Sequence, residues 1–90
     1  MKIVIWGYPL HTHTHSYIHH SFKKAFEYLG HEVHWFHDGD YPEDFDYDDC
    51  VFLTEGFADK NIPLRETSTY FVHVCVNPKK YLGKVKKLID

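Results

Sequence analysis

His11, His13 and His15 alternate with Thr12 and Thr14 and run into Ser16, and a set of that kind offers two chemistries. Imidazoles exchange protons near neutral pH, and with neighbouring hydroxyls they hydrogen-bond sugar hydroxyls or a phosphate. Imidazole nitrogens also bind Zn²⁺ or Ni²⁺. In an extended loop His11, His13 and His15 project to one side, and on a helix His15 and His19 stack at i, i+4. Structural zinc sites usually recruit cysteine, and catalytic ones add a carboxylate or histidine from a distant element. The expectation is therefore a polar pocket wall, with incidental metal affinity but no metal centre and no cofactor. His13 and His15 are the candidate proton-transfer groups, and His11, Thr12, Thr14 and Ser16 the candidate ligand contacts.

Two further segments carry candidate chemistry. Thr54-Glu55-Gly56 follows an apolar run, so Glu55 reads equally as an acid, base or hydroxyl acceptor and as a carboxylate capping the next turn. Gly56 would let a ligand approach the backbone closely, and Gly7, at the end of the first apolar run, is a further candidate ligand contact. His73 lies inside a later run and reads first as a hydrogen-bonded core histidine, although its end of that run faces the same crevice. His19, His20, His31, His34 and His37 read as surface or packing residues.

The elements that must position these groups follow from hydrophobic periodicity. Lys2 to Tyr8 reads as a strand buried on both faces. Ile18, Phe22, Ala25, Phe26 and Leu29 then form one stripe of a helix from about Ser16 to Leu29, and Gly30 supplies its left-handed stop. Glu32 to His37 is a second strand, and a right-handed crossover makes it a parallel neighbour of the first. Asp38 to Asp49 reads as an exposed loop. Cys50 to Leu53 and Thr69 to Val76 are a third and fourth strand, and Tyr81, Leu82, Val85, Leu88 and Ile89 suit a closing helix. The fold class is α/β: a Rossmann-like three-layer half-domain with a mostly parallel four-stranded sheet, order 2-1-3-4, and flanking helices. In such sheets ligands bind beyond the carboxyl ends of the strands, where the histidine loop falls.

Composition narrows the classes. With 90 residues, 43% hydrophobic and 18% aromatic, residues 1–90 form a single folded domain. The run ends abruptly after its last helical stripe, which reads as the N-terminal part of a longer enzyme. A net charge of -3 argues against nucleic acid as partner. No apolar run approaches the roughly 20 residues of a membrane span, so a cytoplasmic protein is expected. Cys50 and Cys75 read as small buried thiols. The dinucleotide fingerprint and the Walker A loop are absent, and Asp38, where a ribose-binding acid would stand, is weak support alone. A receiver domain would need an acidic pair where Tyr8-Pro9 stands.

His15-Ser16-Tyr17, Ser21-Phe22-Lys23-Lys24-Ala25-Phe26 and Leu29-Gly30-His31-Glu32-Val33-His34-Trp35 together resemble the opening of glycosyltransferases built from two Rossmann domains (GT-B). Phe52-Leu53-Thr54-Glu55-Gly56 and Asp59-Lys60-Asn61-Ile62-Pro63-Leu64 are similar to a segment of some viral and microbial members. The resemblance implies the N-terminal, acceptor-side domain of a nucleotide-sugar-dependent glycosyltransferase. Its partners would be a sugar acceptor and a nucleotide-sugar donor, the latter held mainly by a second domain that this sequence does not contain. The fragment alone would then be inactive, with His11 to Ser16 and Glu55-Gly56 facing the cleft. The alternatives are a stand-alone flavodoxin-like interaction module and, third, a histidine-rich metal carrier.

Overall fold

The computed structural model describes residues 1–11, 14–74 and 77–89, with the backbone alone at residue 15. Strand β1 (Lys2–Trp6) leads to helix α1 (Thr14–Tyr28) and strand β2 (Glu32–Phe36). Strands β3 (Cys50–Thr54) and β4 (Thr69–Val72), the short helix α2 (Pro78–Tyr81) and strand β5 (Lys87–Ile89) follow. The five strands form one sheet in the order β2-β1-β3-β4-β5, and every pair is parallel. The α/β class and the order of the first four strands match the sequence reading. The strand count does not, because β5 adds a fifth.

That fifth strand replaces most of the expected closing helix. Helix α2 lasts one turn, and Gly83, at φ 73, redirects the chain. The Lys86 amide then donates to the Ser68 carbonyl, and Leu88 comes into register with Tyr70. A short apolar run fits either periodicity, and here the unfilled hydrogen-bonding edge of β4 decides for a strand. Helix α1 ends as its sequence predicts: Gly30, at φ 88, donates to the Glu27 carbonyl and His31 to that of Phe26, the paired bonds of a Schellman motif.

The two faces of the sheet differ. Val4, Phe52, Tyr70 and Leu88 stand in register across four strands. With Trp6, Val72, Tyr47, Ile62 and Tyr81 they build the main core on one face. The Phe52 and Tyr70 rings stack at 4.5 Å and 6°. Two carboxylates pin the loops over this core. Asp38 accepts from the Trp6 indole N–H at 2.9 Å and from the Lys60 and Asn61 amides at 2.9 Å each. Asp59 accepts from the Tyr81 hydroxyl at 2.7 Å. On the other face α1 lies against β2, and Ile3, Val51, Leu53 and Phe71 form an apolar groove with Phe22 and Phe26 of α1. Cys50 is buried, and burial pushes its thiol pKa up. Cys75 lies outside the described residues. Among the described residues no helix is long and apolar enough to cross a membrane.

Candidate functional site

The carboxyl ends of β1, β3 and β4 deliver Gly7, Glu55 and His73 to one place. Backbone bonds fix Gly7 and His73 beyond their strands. The Gly7 amide donates to the Phe36 carbonyl at 3.1 Å and the His73 amide to the Thr54 carbonyl at 3.0 Å, so both ladders run one residue past the strands. Strand order reverses between β1 and β3, the point at which open α/β sheets commonly bind ligands.

Helix α1 supplies the fourth member, His19. Its Nε2 lies 2.8 Å from Nε2 of His73 and 3.4 Å from Oε2 of Glu55. His19 and Glu55 are fully buried, whereas His73 is half-buried and forms the outer end of the cluster. At 2.8 Å one ring nitrogen donates and the other accepts, so the two rings hold a single proton between them at that position. The contact with Glu55 is an ion pair whenever His19 carries both its protons. Aromatic rings wall the cluster: Trp35 meets His19 edge-on at 6.2 Å, and Phe22 lies 6.2 Å from His73.

Glu55 takes the capping role that the sequence left open to it, and its second oxygen turns to His19. Its Oε1 accepts from the Ala58 amide at 3.0 Å, capping the next turn, and its Oε2 faces His19. Gly56 sits at φ 90, a conformation that favours glycine. Gly7 is required for space: a Cβ there would stand 2.5 Å from Oε2 of Glu55 and 2.6 Å from Cε1 of His19.

The histidine loop divides. Ser16 is buried, and its hydroxyl accepts from the His11 amide at 3.1 Å, which ties the loop to α1. His11 is exposed at φ 72, with Nδ1 at 3.2 Å from the Tyr17 hydroxyl, and Thr14 is an exposed residue at the start of α1. Thr12 and His13 lie outside the described residues, as does the side chain of His15. The structure thus gathers Gly7, Glu55 and His73 of the expected set and puts Gly56 beside them. Asp38 is committed to Trp6 and two amides on the core loops.

Sequence reasoning placed His19 among surface or packing residues. Its signal is helical spacing: His19, Phe22 and Phe26 stand at i, i+3 and i+7 on the side of α1 that borders the sheet groove, where His19 is fully buried and Phe22 stays 38% exposed, while Ile18 and Leu29 of the expected stripe are exposed at 45% and 67%.

Fold and site define a class: a parallel α/β domain with a buried histidine–glutamate–histidine cluster at the carboxyl edge of its sheet. No family model, no curated protein and no solved structure matches the chain.

Proposed function

We propose that this chain is a Rossmann-like, acceptor-side half of a nucleotide-sugar-dependent glycosyltransferase of the cytoplasm, which works with a second, donor-binding domain. The observation that carries the reading is the cluster itself: His19 and Glu55, fully buried, lead to a half-buried His73 beyond the ends of three parallel strands. Ligands of open α/β sheets bind at that edge. The sequence resemblance around His15 to Trp35 and Phe52 to Leu64 supports the sugar-transfer class.

In this reading a ligand meets the cluster through His73, the member nearest the crevice. Glu55 is too deeply buried to touch a substrate and acts as a positioning residue: it fixes His19, and His19 fixes the His73 ring. Gly7 and Gly56 keep the adjoining backbone close, and the sequence reading keeps His13 and His15 as further candidates for proton transfer.

The test is a heteronuclear NMR titration of the chain, and of any longer product of its gene, with UDP-glucose, GDP-mannose and methyl glucoside. Saturable shifts at the Gly7, Glu55, Gly56 and His73 amides are expected. Absence of any saturable shift with every probe on both proteins overturns the reading.

A further inference from the structure

Three ligand atoms of the kinds that transition metals choose lie together in this fold. Nε2 of His19, a ring nitrogen of His73 and a carboxylate oxygen of Glu55 all fall within 4.8 Å of one another. We propose that His19, Glu55 and His73 form a three-ligand site for a divalent transition-metal ion, zinc by ligand chemistry, whose remaining coordination position faces the crevice. The inference uses the same cluster as the sugar reading but does not depend on it.

Two of the three ligand separations need little movement, and the third, His73 to Glu55, lies within 4.8 Å and closes by up to about 1.4 Å. Ligands about 2.0–2.1 Å from a tetrahedral zinc ion stand roughly 3.3–3.4 Å apart. His19 Nε2 and Glu55 Oε2 are already 3.4 Å apart. The two imidazole nitrogens, at 2.8 Å, must open by about half an ångström, as their shared proton leaves and the ion takes its place. Two imidazoles and one carboxylate form a donor set used by zinc hydrolases, and three protein ligands leave a position for water or substrate.

The surroundings favour a site over a chance meeting of polar groups. The ligands come from three separate elements, α1 and the ends of β3 and β4, so the sheet and helix hold them in place. Glu55 Oε1 is oriented by the Ala58 amide at 3.0 Å, the outer-sphere bond that ligating carboxylates usually have. Gly7 leaves the space that the Glu55 carboxylate and the His19 ring occupy. The partial exposure of His73 gives an ion a way in. The sequence argument against a metal was the lack of a carboxylate or histidine from a distant element, and folding supplies both. With the ion in place, an incoming hydroxyl or phosphate oxygen meets its open position instead of the His73 ring.

The experiment strips the purified chain of metal, adds zinc alone in competition with a chromophoric chelator, and repeats the titration with cobalt to read ligand geometry from the visible spectrum. The chain carries nine histidines, so weak sites are expected and variants must separate them. One ion per chain should be held tightly, with the intense visible bands of a low-symmetry cobalt site. His73→Ala should weaken binding by about 100-fold or more, at or beyond the upper end of what loss of an outer-sphere partner costs. His31→Ala and His34→Ala should change it less than about threefold. Circular dichroism checks that each variant folds. If His73→Ala does not fold, X-ray absorption of the zinc-loaded wild type decides: two imidazoles and one carboxylate oxygen support the site, and any other ligand set overturns it. Less than one ion per chain, or wild-type affinity in folded His73→Ala, also overturns it. Zinc binding without sugar shifts would sustain this site and sink the sugar reading, and sugar shifts without zinc binding would do the reverse.

Discussion

Replacing Gly7 by alanine tests whether the cluster is packed as tightly as the distances imply. The added Cβ would lie 2.5 Å from Glu55 Oε2, 2.6 Å from His19 Cε1 and 2.8 Å from His19 Nδ1. Comfortable carbon contacts are about 3.5–4.0 Å, so the imidazole must retreat by roughly 1 Å. Neither neighbour has free space, because both are fully buried, and the strand end cannot withdraw without breaking the Gly7 to Phe36 bond. Overpacking of this kind costs about 1–3 kcal/mol. For a domain of this size each kcal/mol lowers Tm by about 4–8 °C, so a fall of roughly 4–24 °C is expected. Thermal melts followed by circular dichroism give the number. Gly83→Ala is the control: nothing lies within 4 Å of its Cβ, and only its φ of 73 is strained. In a His19→Ala background part of the Gly7→Ala cost should return, because the ring that the methyl group strikes is gone. An unchanged Tm for Gly7→Ala, or an equal cost in both backgrounds, would refute the packing argument.

Two further outcomes follow from the core. Asp38→Ala removes the acceptor of the buried Trp6 indole N–H and of two loop amides, so stability should fall by about 1–3 kcal/mol. A lowered urea midpoint with an unchanged slope would show it, and a midpoint matching wild type would count against it. Burial pushes the Tyr47 hydroxyl from 10.0 up to about 12. Between those values the unfolded chain gives up a proton that the folded chain keeps, so this contribution is intact below pH 10 and lost as pH climbs toward about 12. Burial pushes Tyr70 and Tyr81 the same way. Spectrophotometric titration should therefore show a late tyrosine step that coincides with loss of circular dichroism. Ionisation of every tyrosine near pH 10 with the fold intact would contradict it.

Much of the framework is legible in the residues because it depends on local pattern. The short β-branched and aromatic runs of β1, β2 and β3, bounded by turn residues, favour strands, and the apolar stripe ending at Gly30 favours a helix. The closing segment failed because Tyr81, Leu82, Val85, Leu88 and Ile89 suit a helix and Leu88-Ile89 also suits a strand. The ladder partner that settles the matter, Tyr70, lies in another element. In the same way Glu55 was visible as a candidate, while its link to His19 was not. His19 looks like one polar residue among many until α1 is docked and its Phe22–Phe26 face turns to the sheet.

The sequence by itself determined the class of fold and the parallel order of the first four strands, and it put candidate side chains at the carboxyl edge of the sheet, since periodicity and short right-handed connections leave few other arrangements. Only the tertiary structure decided which side chains meet there. His19, Glu55 and His73 are separated by 36 and 18 positions in the chain, and no local rule relates them. Their approach to within 4.8 Å follows from strand register, helix docking and the missing side chain at Gly7. Those are long-range packing choices, settled by burial of the sheet faces and by the pairing of its edges.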